Sequence, residues 1–167
     1  MEISTNIIKE LRQKTGAGVM DCKKALTEAG GDINNACDII TQRGLAIAKK
    51  KSDRIAEQGA IECYIHTGNH LGVMVEVNCE TDFVARTEEF KALAHNIALQ
   101  ISAMAPQYIS ADEIPAGTEA DPQVACLLSQ PFIKDPGKTI QDIITETIAK
   151  TGENIKVRRF VRFELGY

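Results

Sequence analysis

Apolar residues recur at helical spacing through the first fifty positions, switch to alternation near residue 60, and return to helical spacing after residue 87. Ser4 and Thr5 can cap a first helix whose Ile7, Ile8 and Leu11 share a face, and Gly16 ends it. After Gly18, the run Val19-Met20-Asp21-Cys22-Lys23-Lys24-Ala25-Leu26 predicts a second helix, closed by Gly30-Gly31. Asp32 can cap a third that carries Ile33, Ala36, Cys37, Ile40 and Ile47 at helical spacing. Lys49-Lys50-Lys51-Ser52-Asp53-Arg54 then breaks the apolar pattern and reads as a solvated helix end running into a linker.

Beyond the linker the period is two. Ile61, Cys63 and Ile65 alternate with Glu62, Tyr64 and His66, while Leu71, Val73, Val75, Val77 and Cys79 alternate with Gly72, Met74, Glu76 and Asn78. Thr67-Gly68-Asn69-His70 supplies turn chemistry between the runs, which predicts a hairpin whose apolar residues form one buried sheet face. Thr87 can cap a long helix with Phe90, Leu93, Ala94, Ile97, Ile101 and Met104 on one side. All five prolines lie between Pro106 and Pro136, in an irregular stretch with a short helical insert near Val124 to Ser129. The sequence Lys134-Asp135-Pro136-Gly137 reads as a turn leading to a helix capped at Thr139, with Ile140, Ile143, Ile144 and Ile148 inward and Gly152 at its end. A last strand places Ile155, Val157, Val161, Phe163 and Leu165 in alternation. The expected fold class is α+β: a three-helix module over residues 1–52, then an α+β core over 53–167 with an antiparallel or mixed sheet packed on helices.

A chain of 167 residues with 44% hydrophobic and 25% charged residues suits a soluble globular protein, and no apolar run reaches the roughly 20 residues a membrane span needs. The N-terminus lacks the features of a secretory signal, so a cytoplasmic location and no membrane partner are expected. A net charge of −4 argues against broad capture of nucleic acid, and the cluster Arg158, Arg159 and Arg162 is expected to face water along the last strand. Five cysteines, an odd number with no CxxC, read as buried or half-buried reduced thiols.

Raw material for catalysis is sparse. His66 and His70 are separated by a turn and have no third ligand nearby in sequence, so no metal site is expected. Gly137-Lys138-Thr139 resembles the tail of a phosphate loop, yet Phe132 stands where that loop needs its first glycine. No nucleophile elbow or dinucleotide-binding loop occurs, and neither a cofactor nor a bound nucleotide is expected of this chain. A protein that works through contacts is the better class.

The segment Glu76-Val77-Asn78-Cys79-Glu80-Thr81-Asp82-Phe83-Val84 begins as a strand and ends by presenting an acid and an aromatic at a turn. Phe83 either projects as a wedge toward another protein or folds back into its own core. Leu11 to Leu26, with Thr15-Gly16-Ala17-Gly18-Val19-Met20-Asp21-Cys22-Lys23-Lys24 at its centre, closely resembles the N-terminal motif of the elongation factor Ts family. Glu76 to Val84 resembles the family's second motif, which ends in Thr-Asp-Phe-Val. Gly152-Glu153-Asn154-Ile155-Lys156-Val157-Arg158-Arg159 is similar to its recurrent strand after a helix.

That resemblance implies a guanine-nucleotide exchange factor for elongation factor Tu, acting without covalent chemistry and so not an enzyme. It implies an N-terminal module of the ubiquitin-associated type and an α+β core. Phe83 would enter an apolar crevice of the partner's nucleotide-binding domain, Asp82 would make polar contacts beside it, and Thr81 and Val84 would set the turn. Val19, Met20 and Lys23 would dock on another partner helix, with Leu11 and Leu26 in the module's own core. Longer members of the family carry a second core half that this chain lacks. The long final strand, with aromatics on both faces, suggests that a second copy takes its place in a homodimer and a two-to-two complex. A rival reading, a general protein-binding adaptor that captures peptides or ubiquitin-like partners, would need only the N-terminal module and leaves Thr81 to Val84 without a role. A thiol-dependent enzyme built on Cys79 and Cys22 is a more distant alternative.

Overall fold

The computed structural model describes residues 3–166. Three helices open the chain: α1 (Thr5–Thr15), α2 (Val19–Glu28) and α3 (Ile33–Lys51). Their boundaries follow local chemistry. The Ser4 hydroxyl accepts from the Ile7 N–H, Gly16 ends α1 in the left-handed conformation, and the Asp32 carboxylate caps α3 through the Asn35 N–H. Ile8, Leu11, Cys22, Ala25, Leu26 and Ala36 form a small buried core among the three. Lys49, Lys50 and Lys51 are the last turn of α3, the solvated helix end expected before the linker. Lysine is a good helix former, and three cations at a helix C-terminus interact favourably with its dipole.

The main core lies between a three-stranded antiparallel sheet and two helices. Strands β1 (Gln58–Ile65) and β2 (Leu71–Cys79) form the hairpin. A single-turn helix α4 (Asp82–Ala85) and the long α5 (Glu88–Met104) follow. The irregular stretch contains the short helix α6 (Pro122–Ala125), two 3-10 turns, and a two-stranded ribbon of β3 (Pro131–Phe132) and β4 (Asp135–Thr139). The ribbon occupies what the sequence suggested was only a turn into the next helix. Helix α7 (Ile140–Thr151) starts with a capping box between Thr139 and Asp142. Strand β5 (Ile155–Glu164) then pairs with β2, giving the order β1-β2-β5.

Val73, Val75, Val77 and Cys79 of β2 pack on Phe90, Leu93, Ile97 and Ile101 of α5 and on Ile140, Ile144 and Ile148 of α7. Met104, expected on that face of α5, is instead exposed at the helix end. Helix α3 reaches this second body as well: Ala48 packs against the main core, and a Cβ built on Gly44 would lie 3.6 Å from the Ala149 Cβ of α7. Small residues there let the two helices approach closely.

Two strand faces differ from the expected alternation. In β1 the inward residues are Ala60, Glu62 and Tyr64, whereas Ile61, Cys63 and Ile65 face outward. The pairing decides this: Ala60 sits opposite Val77 and Tyr64 opposite Val73, and opposed residues share a face. Gly59, with φ 145°, fixes the start of that pairing, because a Cβ there would fall 2.1 Å from the Val77 carbonyl oxygen. Glu62 is tolerated inward because β1 is an edge strand and its carboxylate meets the His95 Nδ1 of α5 at 2.9 Å.

In β5 a bulge intervenes. Val157 opposes Val77 and Arg159 opposes Glu76, so Arg158 is the extra residue. Ile155 and Val157 therefore face the core before the bulge, Phe160 faces it afterwards, and Val161 and Phe163 turn outward.

Candidate functional site: the turn after strand β2

Strand β2 delivers Cys79 into the core, and the chain turns at Glu80 and Thr81 into α4. Thr81 is the N-cap: its hydroxyl oxygen accepts from the Val84 N–H at 3.4 Å. Val84 and Ala85 pack against the main core, which anchors the inner side of the turn. Phe83 points away and is 78% exposed, the most exposed large apolar side chain among the described residues. Of the two sequence readings of Phe83, the one that buries it in the chain's own core is excluded.

Asp82 lies beside it and pairs with Arg86 at 2.7 Å, with Arg86 largely and Asp82 about half in water. An exposed pair of this kind contributes only about 0.3–0.5 kcal/mol, so Asp82 can exchange Arg86 for another cation or donor at little cost.

Partly buried polar contacts hold the turn from behind. Glu153, just after α7, accepts from the backbone N–H groups of Glu80 and Thr81 at 3.1 and 2.9 Å and from the Thr81 hydroxyl at 2.6 Å. Glu80 in return accepts from the Asn154 N–H at 2.7 Å and pairs with Arg54 at 3.3 Å. The Asn154 N–H, and after it the Arg54 guanidinium, hold the Glu80 carboxyl below the usual carboxylate range. Burial pushes the Cys79 thiol up, and its S–H donates to the Thr81 carbonyl at 3.1 Å. Cys22 is raised by burial too. Neither thiol is the exposed, low-pKa group that nucleophilic chemistry needs. Cys63, by contrast, is exposed, because β1 turns that face outward.

Val19, Met20 and Lys23 all lie exposed on α2, with Val19 and Lys23 one turn apart, and Leu11 and Leu26 are fully buried beneath. This second surface is thus a short helix face with two solvated apolar side chains and one cation. Glu153 and Asn154 belong to the third motif, Gly152 to Arg159, but no contact with the turn was expected of them. Their partners in the turn lie 72 to 74 positions away, so no local pattern could show those contacts.

A family model described as elongation factor TS matches residues 1–123. The chain belongs to the elongation factor Ts family. It is 51% identical over 195 positions to elongation factor Ts of Thermodesulfovibrio yellowstonii, covering 99% of this chain and 98% of that one. It is 48% identical over 194 positions to that of Carboxydothermus hydrogenoformans, covering 98% and 89%. The corresponding protein of Thermoanaerobacter sp. is also 48% identical, covering 98% and 95%. These alignments exceed the 167 residues of the chain, so such relatives carry residues within the matched span that this chain lacks. Membership places the chain among the elongation factors of protein biosynthesis and implies nucleotide exchange on elongation factor Tu. Among the described residues no helix is long and apolar enough to cross a membrane.

Proposed function

We propose that this chain accelerates GDP release from elongation factor Tu by inserting Phe83 into an apolar crevice of the partner's nucleotide-binding domain. The observation that carries the reading is the solvated Phe83 on a one-turn helix whose base is anchored by Thr81, Val84 and Glu153. Moving such a ring from water into an apolar pocket releases about 1.5–3 kcal/mol. That matches the 1–3 kcal/mol, or about 5–150-fold, by which one ligand commonly weakens another through a shared protein.

Insertion favours a partner conformation with its phosphate loop and Mg²⁺ site displaced, so the factor and the nucleotide weaken each other reciprocally. GTP then rebinds and expels the factor. No covalent bond changes. Asp82 leaves Arg86 to contact the partner beside the wedge. Val19, Met20 and Lys23 dock a second partner helix, as part of a ubiquitin-associated-type module over residues 1–52, with the α+β core over 53–167 carrying the wedge.

A second copy completes the assembly as a homodimer. The outer sheet face supports this. Across β1, β2 and β5 its rows read Cys63, Met74, Val161 and Ile65, Gly72, Phe163, bounded by the Glu76–Arg159 ion pair. Ile61 and Ile65 are each 61% exposed and Phe163 is 70% exposed. A contiguous apolar face of this kind marks an interaction surface.

Stopped-flow release of fluorescent GDP from elongation factor Tu tests the wedge. Wild type is expected to accelerate release strongly, and Phe83→Ala to lose about tenfold to a hundredfold of that acceleration, the scale set by the coupling above. Acceleration that survives in Phe83→Ala would shift the cause to Asp82 or to the N-terminal module. A folded wild type that accelerates nothing would sink the exchange reading.

A further inference from the structure

The turn that carries Phe83 is not self-supporting. Helix α4 has four residues, and a single turn fixes more backbone than its hydrogen bonds can offset. Beyond Cys79, the last residue of β2, the N–H groups of Glu80 and Thr81 have no strand neighbour to bond. One side chain from a different element receives both. Glu153 takes the two N–H groups on Oε2 and the Thr81 hydroxyl on Oε1. The same hydroxyl oxygen caps α4 through the Val84 N–H, so the carboxylate sets the orientation of the helix that aims Phe83.

The neighbours of Glu153 extend the clamp. Asn154 donates its N–H to Glu80 and its side-chain amide to the carbonyls of Ser52 and Arg54, at 3.2 and 2.7 Å. The Gly152 carbonyl accepts from Lys51, at the end of α3. The three-residue segment 152–154 thus joins the wedge turn to the point where the three-helix module ends.

We infer that Glu153 is the positioning residue of the wedge: it touches no partner and acts by holding Thr81 and the first turn of α4 in the geometry that projects Phe83. This rests on the exchange reading above. What matters on this account is reach and acceptor geometry, not charge. Glu153→Gln keeps an oxygen for both N–H groups and an amide that can donate to the Thr81 hydroxyl oxygen. Glu153→Asp keeps the charge but withdraws it by one methylene.

The experiment compares stopped-flow GDP release by wild type, Glu153→Ala, Glu153→Gln, Glu153→Asp, Phe83→Ala and the double variant Glu153→Ala/Phe83→Ala. Amide hydrogen exchange of each free protein accompanies it. Glu153→Ala and Glu153→Asp are expected to lose about tenfold of the acceleration, within the range of a two-site coupling. Glu153→Gln is expected to stay within about twofold of wild type, because it weakens each bond but keeps the reach and the acceptor that orient the turn. The N–H groups of Glu80 and Thr81 should exchange faster in Glu153→Ala while those of Ile97 and Ile101 in α5 stay protected. The double variant should be no slower than Phe83→Ala, because a residue acting only through the wedge has nothing left to position.

Wild-type acceleration that Glu153→Ala reproduces would overturn the inference and leave the exchange reading standing. So would a double variant clearly worse than Phe83→Ala, or a Glu153→Asp that behaves as wild type while Glu153→Gln does not. Absence of acceleration by wild type would remove the exchange reading and the role of Glu153 together, an outcome visible before any variant is compared. If Glu153→Ala fails to fold, Glu153→Asp against Glu153→Gln decides the matter alone.

Discussion

Phe83 and Phe90 lie seven residues apart and have opposite fates: the first is 78% exposed and the second fully buried. Both follow a threonine N-cap, Thr81 two residues before Phe83 and Thr87 three residues before Phe90. The difference is what each helix packs on. Helix α5 lays a full apolar face over the sheet, whereas α4 commits only Val84 and Ala85 to the core. Stability and function should therefore separate cleanly at these two positions. Phe83→Ala is expected to shift unfolding by no more than about 0.5 kcal/mol, as surface changes do, and Phe90→Ala to cost about 3–5 kcal/mol. Urea unfolding of both variants checks this, and a large loss in Phe83→Ala would mean the ring supports its own fold. At this scale the residue pattern was informative about type, an acid and an aromatic at a turn, and left exposure open, while the family resemblance implied a projecting ring. A helical pattern has no way to say which of its apolar residues meets another layer.

Among the elements, β5 and the segment before it carry the most consequence. Arg158 is the extra residue of the bulge, and with it both Arg158 and Arg159 reach Glu76, at 3.6 and 2.7 Å. The segment 152–154 ties the strand's entry to the turn after β2, partly through Glu80. Because the folded chain holds the Glu80 carboxyl below its ordinary value, it releases that proton more readily than the unfolded chain does. The resulting stabilisation is whole above the unfolded value of about 4.3 and is lost as pH falls through the lower folded value. The urea midpoint of wild type should thus drop more steeply than that of Glu80→Gln as pH is lowered from about 5 toward 3. Parallel curves would show that Glu80 gains nothing from Asn154 and Arg54. None of this was legible beforehand, since simple alternation gives β5 a single phase and Glu80 no partner.

At the scale of the whole molecule the sheet has two apolar faces. One is covered by α5 and α7, and the other carries Ile61, Ile65, Met74, Val161 and Phe163 in the open. Pairing that face with a second copy predicts that wild type is a dimer by light scattering and that Ile61→Glu/Phe163→Glu is a folded monomer. A strict monomer of wild type across a concentration series would remove the homodimer. The sequence had pointed to β5 as an edge seeking a partner, and β5 is an edge strand. The exposed face beside it came from register, which turned Ile61, Cys63 and Ile65 outward.

Helix ends, the hairpin, the capped start of α7 and the Thr-Asp-Phe-Val turn were determined by the sequence itself. Caps, turns and hydrophobic periods act over a few neighbouring residues, and those neighbours are written side by side. The outward face of β1, the change of phase in β5, the exposure of Phe83 and the hold of Glu153 on Thr81 were decided only by the tertiary structure. Each depends on groups brought together from positions far apart, where a one-residue change of register or a single bulge moves side chains from one face to the other.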